Sequence, residues 1–134
     1  MSGTSEPSAV SVEVDVEHRF VRQIYRGPLT AARIREVWQE LASDPRGPLA
    51  FDTLVDLSAA RVRLSSDEVW QLARAAARMP ESRRAIVAPS DHDYGMMRML
   101  ELVAEDSPFH YGVFRCVAEA CAWLRNPGCV ASGP

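Results

Sequence analysis

Ser65 and Ser66, followed at once by Asp67 and Glu68, come closest in this chain to a spacing with a chemical meaning. Ser65 and Glu68 have the S-x-x-E pattern of a capping box, in which each side chain accepts from the other residue's backbone N–H. Ser66, one position further, stands where free N–H groups and the helix macrodipole favour negative charge, with the carboxylates of Asp67 and Glu68 beside it. Capping by Ser65 and Glu68 explains the turn.

A second cluster is Ser90, Asp91, His92 and Asp93, with Tyr94 next in line. Asp, His and Asp have the types for a metal site or an acid–base pair, but consecutive side chains splay apart and such a site needs ligands from elsewhere. A capping Ser90 and a solvent-facing His92 are the simpler assignment, and no metal or cofactor is expected. In an open parallel sheet, ligands gather beyond the carboxyl ends of the strands. That rule selects Ser58, Ser65, Ser66, Ser90, Asp91, His92 and Tyr94 as candidate binding residues, with Arg61, Arg63 or Arg115 available to an anion on the helix N-termini.

Composition excludes other chemistry. All fifteen basic residues are arginine, which rules out Schiff-base formation and the phosphate-gripping lysine of a P-loop. A formal charge of -3 gives no general attraction to phosphate backbones or anionic membranes, so nucleic acid is not an expected partner. Cys116, Cys121 and Cys129 are odd in number, lie close to one end and lack a zinc-pair spacing. They read as reduced, packed residues of a cytoplasmic protein rather than a disulfide framework, and no apolar run approaches the ~20 residues of a membrane helix.

The elements that position these groups follow from periodicity. Val12, Val14 and Val16 alternate with polar residues, which predicts a strand over 11–16, and a second over 20–25 follows closely enough for a hairpin. Gly27 and Pro28 are expected to end it. Thr30 should cap a helix whose Ile34, Val37, Trp38 and Leu41 recur at three- and four-residue intervals. Further strands are expected over 51–57, 85–88 and 110–115. Helices are expected over 66–79, from Ser90 to Val103, and over 117–124. The continuous run Ala85–Ala88 has the pattern of a central strand covered on both faces.

The order β-β-α-β-α-β-α-β-α predicts an α/β fold, a single mixed and mostly parallel five-stranded sheet flanked by helices. The domain should span 10–125, between a flexible tail, 1–9, and a C-terminal tail, 126–134. Trp38, Trp70 and Trp123 fall on three helices and are expected to anchor each to the sheet; an exposed one would mark a contact surface.

In that order, LVDLSAARVRLSSDEVWQLA (54–73) resembles the segment of STAS domains in which a strand ending in Asp-Leu leads through a turn to a helix. YGVFRCVAEACAWLR (111–125) is similar to the closing strand and helix of the SpoIIAA-like branch, and RRAIVAPSDHDYGMMRMLE matches the family's pattern between them. In sigma-regulating members the phosphorylated serine sits in an Asp-Ser-Ser-Gly turn. Here the corresponding residues are Leu64, Ser65, Ser66 and Asp67, so the serines are kept and their neighbours are not. The resemblance makes Ser66 the candidate phosphorylation site, while Asp67 and Glu68 oppose it by putting two carboxylates beside the phosphate. Capping explains the turn more completely than modification does. The resemblance implies a non-enzymatic regulatory or protein-binding module, an anti-sigma-antagonist-like component presenting its second helix to a protein partner or to itself as a homodimer. The alternative is a carrier of a small apolar or amphipathic ligand, because the fold resembles lipid-carrying domains in outline and the third helix is methionine-rich. A cavity beneath Met96, Met97 and Leu100 favours the carrier, and a filled core counts against it.

Overall fold

Val12 and Val14 alternate with Ser11 and Glu13, and this period of two lays β1, Ala9–Asp15, along one edge of the sheet. The computed structural model describes residues 8–131, so most of the expected N-terminal tail lies outside the described residues. The Arg19 N–H donates to the Val16 carbonyl (3.2 Å) and Arg19 takes a left-handed φ of 49°, which reverses the chain into β2, Phe20–Leu29, antiparallel to β1. β3 (Asp52–Val62), β4 (Ser82–Val87) and β5 (Phe109–Phe114) then add in parallel, giving the order β1-β2-β3-β4-β5. The mixed five-stranded sheet expected from the sequence is the one observed. Its central strand is β3, however; β4 lies between β3 and β5.

Helices α1 (Ala31–Ala42), α2 (Ser66–Ala76) and α3 (Asp91–Val103) each connect one parallel strand to the next. Successive right-handed crossovers in one direction stack these helices on one face. The other face is left to α4 (Val117–Leu124) and α5 (Pro127–Ala131). Two cores result. Tyr25, Leu57 and Ile86 pack under α1, α2 and α3, while Phe20, Leu54, Ala85 and Val87 pack against Ala120 and Leu124. The unbroken apolar run in β4 therefore feeds both cores in alternation.

Local chemistry sets the helix starts. The Thr30 hydroxyl accepts from the Arg33 N–H (3.3 Å), and the Ser90 hydroxyl accepts from the Asp93 N–H (3.2 Å). At α2 the capping box is complete: Ser65 Oγ accepts from the Glu68 N–H (3.1 Å) and Glu68 Oε1 from the Ser65 N–H (2.9 Å).

Two strands outrun their expected ends. β2 continues through Gly27 and Pro28, and β3 continues past Leu57 to pair Ala59, Ala60, Arg61 and Val62 with Arg26–Leu29. β1 begins opposite Arg26, so Pro28 lies beyond its end, where a missing N–H breaks no ladder bond to that strand. Burial of Leu29, Ala60 and Val62 under the helices stabilises the extension, and buried Asp93 accepts from the Val62 N–H (3.1 Å).

The C-terminal tail expected over 126–134 is instead structured as far as Ala131. Arg125, at a φ of 54°, ends α4 and folds the chain back, so that Gly128 lies against Phe20 and Cys129 is buried. Cys121 and Cys129 form a disulfide, correcting the expectation of three reduced cysteines; Cys116 is free and exposed. Spacing concealed the pairing because the reversal at Arg125 brings the two residues together. Asn126 Nδ2 donates to the His18 carbonyl (2.8 Å) and Arg22 Nη2 to the Cys129 carbonyl (2.6 Å), tying the segment to the sheet.

Candidate functional site

Strand alternation sends the neighbouring Arg83 and Arg84 to opposite faces of β4. Arg83, half-buried, reaches Asp52 (2.9 Å) and the Leu124 carbonyl (2.6 Å). Arg84 has no such outlet. It is 1% exposed beneath the helices, its guanidinium lies 4.2 Å from the centroid of the Phe109 ring, and its Nη1 is buried without a hydrogen-bond partner. No carboxylate pairs with it among the described residues. An unpaired buried charge is penalised by several kcal/mol, of which a desolvated cation–π contact offsets about 2. Burial shifts the Arg84 pKa downward, but a guanidinium stays protonated.

Arg84 lines a cavity of about 40 Å³ between the sheet and helices α1–α3. The sheet supplies Gln23, Tyr25, Leu57 and Tyr111, and the helices supply Trp38, Met97 and Leu100. The Tyr25 hydroxyl donates to Gln23 Oε1 (3.0 Å), which leaves Gln23 Nε2 buried with no partner. Desolvation raises both phenols, Tyr111 to about 12 and Tyr25 further, so both remain neutral. The chamber thus combines apolar walls with two unsatisfied donors, one of them charged.

Above it, α1 and α2 flank an open groove of about 490 Å³ carrying Arg35, Arg74 and Arg78. Trp38 is common to the linings of groove and cavity.

The residues singled out from the sequence divide into separate places. Ser65, Ser90 and His92 line one open groove with Arg63 and Asp93 beyond the strand ends. Both serines accept a backbone N–H as helix caps, and His92 Nδ1 lies 3.0 Å from Asp93 Oδ1. Ser66 is exposed at the first turn of α2. Ser58, exposed on β3, donates its hydroxyl to Asp56 (2.6 Å). Asp91 pairs with Arg115 (2.7 Å), whose guanidinium covers the Tyr94 ring at 4.0 Å. At the β1–β2 turn Asp15, Glu17 and His18 bring their ligand atoms within 4.8 Å of one another, and Asp15 is bonded to His18 (2.7 Å).

Trp38 and Trp123 do anchor their helices, edge-on to Phe109 (5.4 Å) and tilted on Phe114 (5.6 Å). Trp70 does not: it is 49% exposed on α2. Arg84 and its neighbours escaped the sequence reading, although a signal was present. Two adjacent arginines in a strand covered on both faces cannot both reach solvent across the strand.

No family model matches the chain, and no curated protein matches it. Among solved structures, it is similar to an uncharacterised protein of the DUF3478 family with a SpoIIAA-like fold from Shewanella loihica PV-4. The two are 17% identical, the match covers 92% of this chain and 98% of the other, and the TM-score is 0.57. At that identity the likeness is one of fold, and the fold is SpoIIAA-like.

Proposed function

We propose that the chain is a non-enzymatic binding module that takes a small amphipathic molecule into the cavity beneath α1–α3. The observation that carries this reading is the pairing of apolar walls at Leu57, Met97 and Leu100 with the unsatisfied donors of Arg84 and Gln23. A few convergent polar groups in an apolar chamber are the usual make-up of a ligand site. The titratable groups of its lining are one arginine and two neutral phenols, which suits holding a molecule better than transforming it. Saturation-transfer NMR with short-chain alcohols, amides and acids tests the reading. Transfer to at least one class is expected on the wild-type protein, with loss in the space-filling variant Met97→Trp. Absence of transfer to every class would sink the proposal.

A second reading is favoured by a different observation. Trp70 on α2 and Leu102 on α3, 49% and 63% exposed, line one shallow groove. Exposed aromatic and aliphatic groups on one face suit a protein partner, including a second copy of this chain. Ser66 lies one helical turn from Trp70, so a phosphate there would place charge beside the contact, the form a regulatory module would take. Sedimentation velocity over a concentration series distinguishes self-association, which Trp70→Ala should weaken. Intact mass after co-expression with cognate kinases reads the Ser66 modification.

A further inference from the structure

Arg84, Gln23, Tyr25 and Tyr111 are the polar groups of the cavity, and what they lack is negative charge. Gln23 Oε1 is occupied by the Tyr25 hydroxyl, both phenols are neutral, and the groups left without partners, Arg84 Nη1 and Gln23 Nε2, are donors only. A complementary ligand therefore brings acceptors and a charge. The remaining walls, among them Leu57, Met97 and Leu100, offer no hydrogen bonds, so an oxyanion that needs donors on every side, such as sulfate, is poorly matched.

Size narrows the class. At about 10–15 Å³ of such volume per water, a cavity of about 40 Å³ corresponds to roughly three waters, or a ligand of about three to five heavy atoms. We infer that the cavity binds a short-chain aliphatic carboxylic acid as its monoanion, with the carboxylate on Arg84 and Gln23 and the alkyl end on Leu57, Met97 and Leu100. This rests on the small-ligand reading and adds the charge and size of the ligand. Arg35, Arg74 and Arg78 in the adjoining groove supply a positive approach, although the chain as a whole is acidic. Trp38, shared by groove and cavity, marks where the two adjoin.

Isothermal titration of the full chain in buffer lacking small anions tests the inference, with acetate, propionate, propionamide and chloride as probes. Propionate should bind saturably at one site per chain, with propionamide weaker by about tenfold or more, since a charge-assisted pair is lost. Arg84→Met should abolish propionate binding. Arg83→Gln, which removes the same charge from the opposite face, should leave it unchanged. Should Arg84→Met fail to fold, the acid–amide comparison on the wild type still decides. Equal binding of propionate and propionamide overturns the anion assignment while the small-ligand reading stands; binding of neither overturns both. Chloride binding as well as propionate does, without any gain from the alkyl group, overturns the carboxylic-acid class.

Discussion

Replacing Arg84 with methionine, in buffer lacking small anions, is expected to stabilise the protein. The guanidinium is buried with Nη1 unsatisfied, and its visible compensation is the Phe109 ring at 4.2 Å. Relief of an unpaired buried charge contributes on the order of 3 kcal/mol or more, and loss of the cation–π contact subtracts about 2. A methionine sulfur on the same ring returns about 1, so the balance favours the variant by about 2 kcal/mol. For a chain of this length that corresponds to a rise in unfolding midpoint of roughly 6–8 °C. Urea unfolding followed by tryptophan fluorescence measures it without adding chloride. Excess propionate should then reverse the order. At a concentration about 100 times its dissociation constant it stabilises the wild type by about 2.7 kcal/mol and leaves the variant unmoved. A variant destabilised by about 2 kcal/mol or more, in buffer lacking small anions, would mean that the guanidinium has an internal partner, contrary to the site proposed here.

Other outcomes follow from the same structure. Ser65→Ala removes one half of the capping box on α2 and should destabilise the protein by about 1 kcal/mol in urea unfolding, with ligand binding unchanged. Reducing the Cys121–Cys129 disulfide opens a loop whose ends are 8 residues apart, and loop-closure entropy predicts a loss of about 2.5 kcal/mol; identical melting with and without reductant would contradict the bond. At the β1–β2 turn, the hydrogen bond from Asp15 raises the pKa of His18 and lowers that of Asp15. The His18 contribution is full below about 6.5, its unfolded value, and is lost as pH rises through the higher folded value; that of Asp15 is present above about 3.8 and lost as pH falls through the lower one. In an NMR titration, Asp15→Asn should return His18 to its ordinary range.

Much of the fold was legible because local signals agreed with one another. Alternating valines, the Ser65–Glu68 spacing, the capping Ser90 and the two-sided run at Ala85–Ala88 each imposed one conformation, and together they imposed the sheet. What escaped depended on tertiary contact. Gly27 and Pro28 look like a stop, yet they continue a strand because β3 pairs with them and the helices bury Leu29 and Val62. Cys129 reads as part of a tail until the turn at Arg125 carries it to Cys121. The serines drew attention as candidate site residues because their spacing is local, and that local use, capping, accounts for Ser65 and Ser90. The pairing of Arg84 with Arg83 in a two-sided strand signals that one of them is buried, but the setting of Arg84 comes from β2, β3, β5 and three helices, and is visible only once they are assembled. Of the third-helix residues Met96, Met97 and Leu100, the last two line the cavity and Met96 does not.

The most direct test of ligand uptake is an intermolecular nuclear Overhauser measurement on the isotope-labelled protein with propionate. Contacts from the propionate methyl group to the side-chain methyls of Met97 and Leu100, together with a shift of the Arg84 guanidinium resonance, are the expected result. Saturable propionate binding with contacts confined to the Arg35, Arg74 and Arg78 groove, and no change at Arg84, would contradict it.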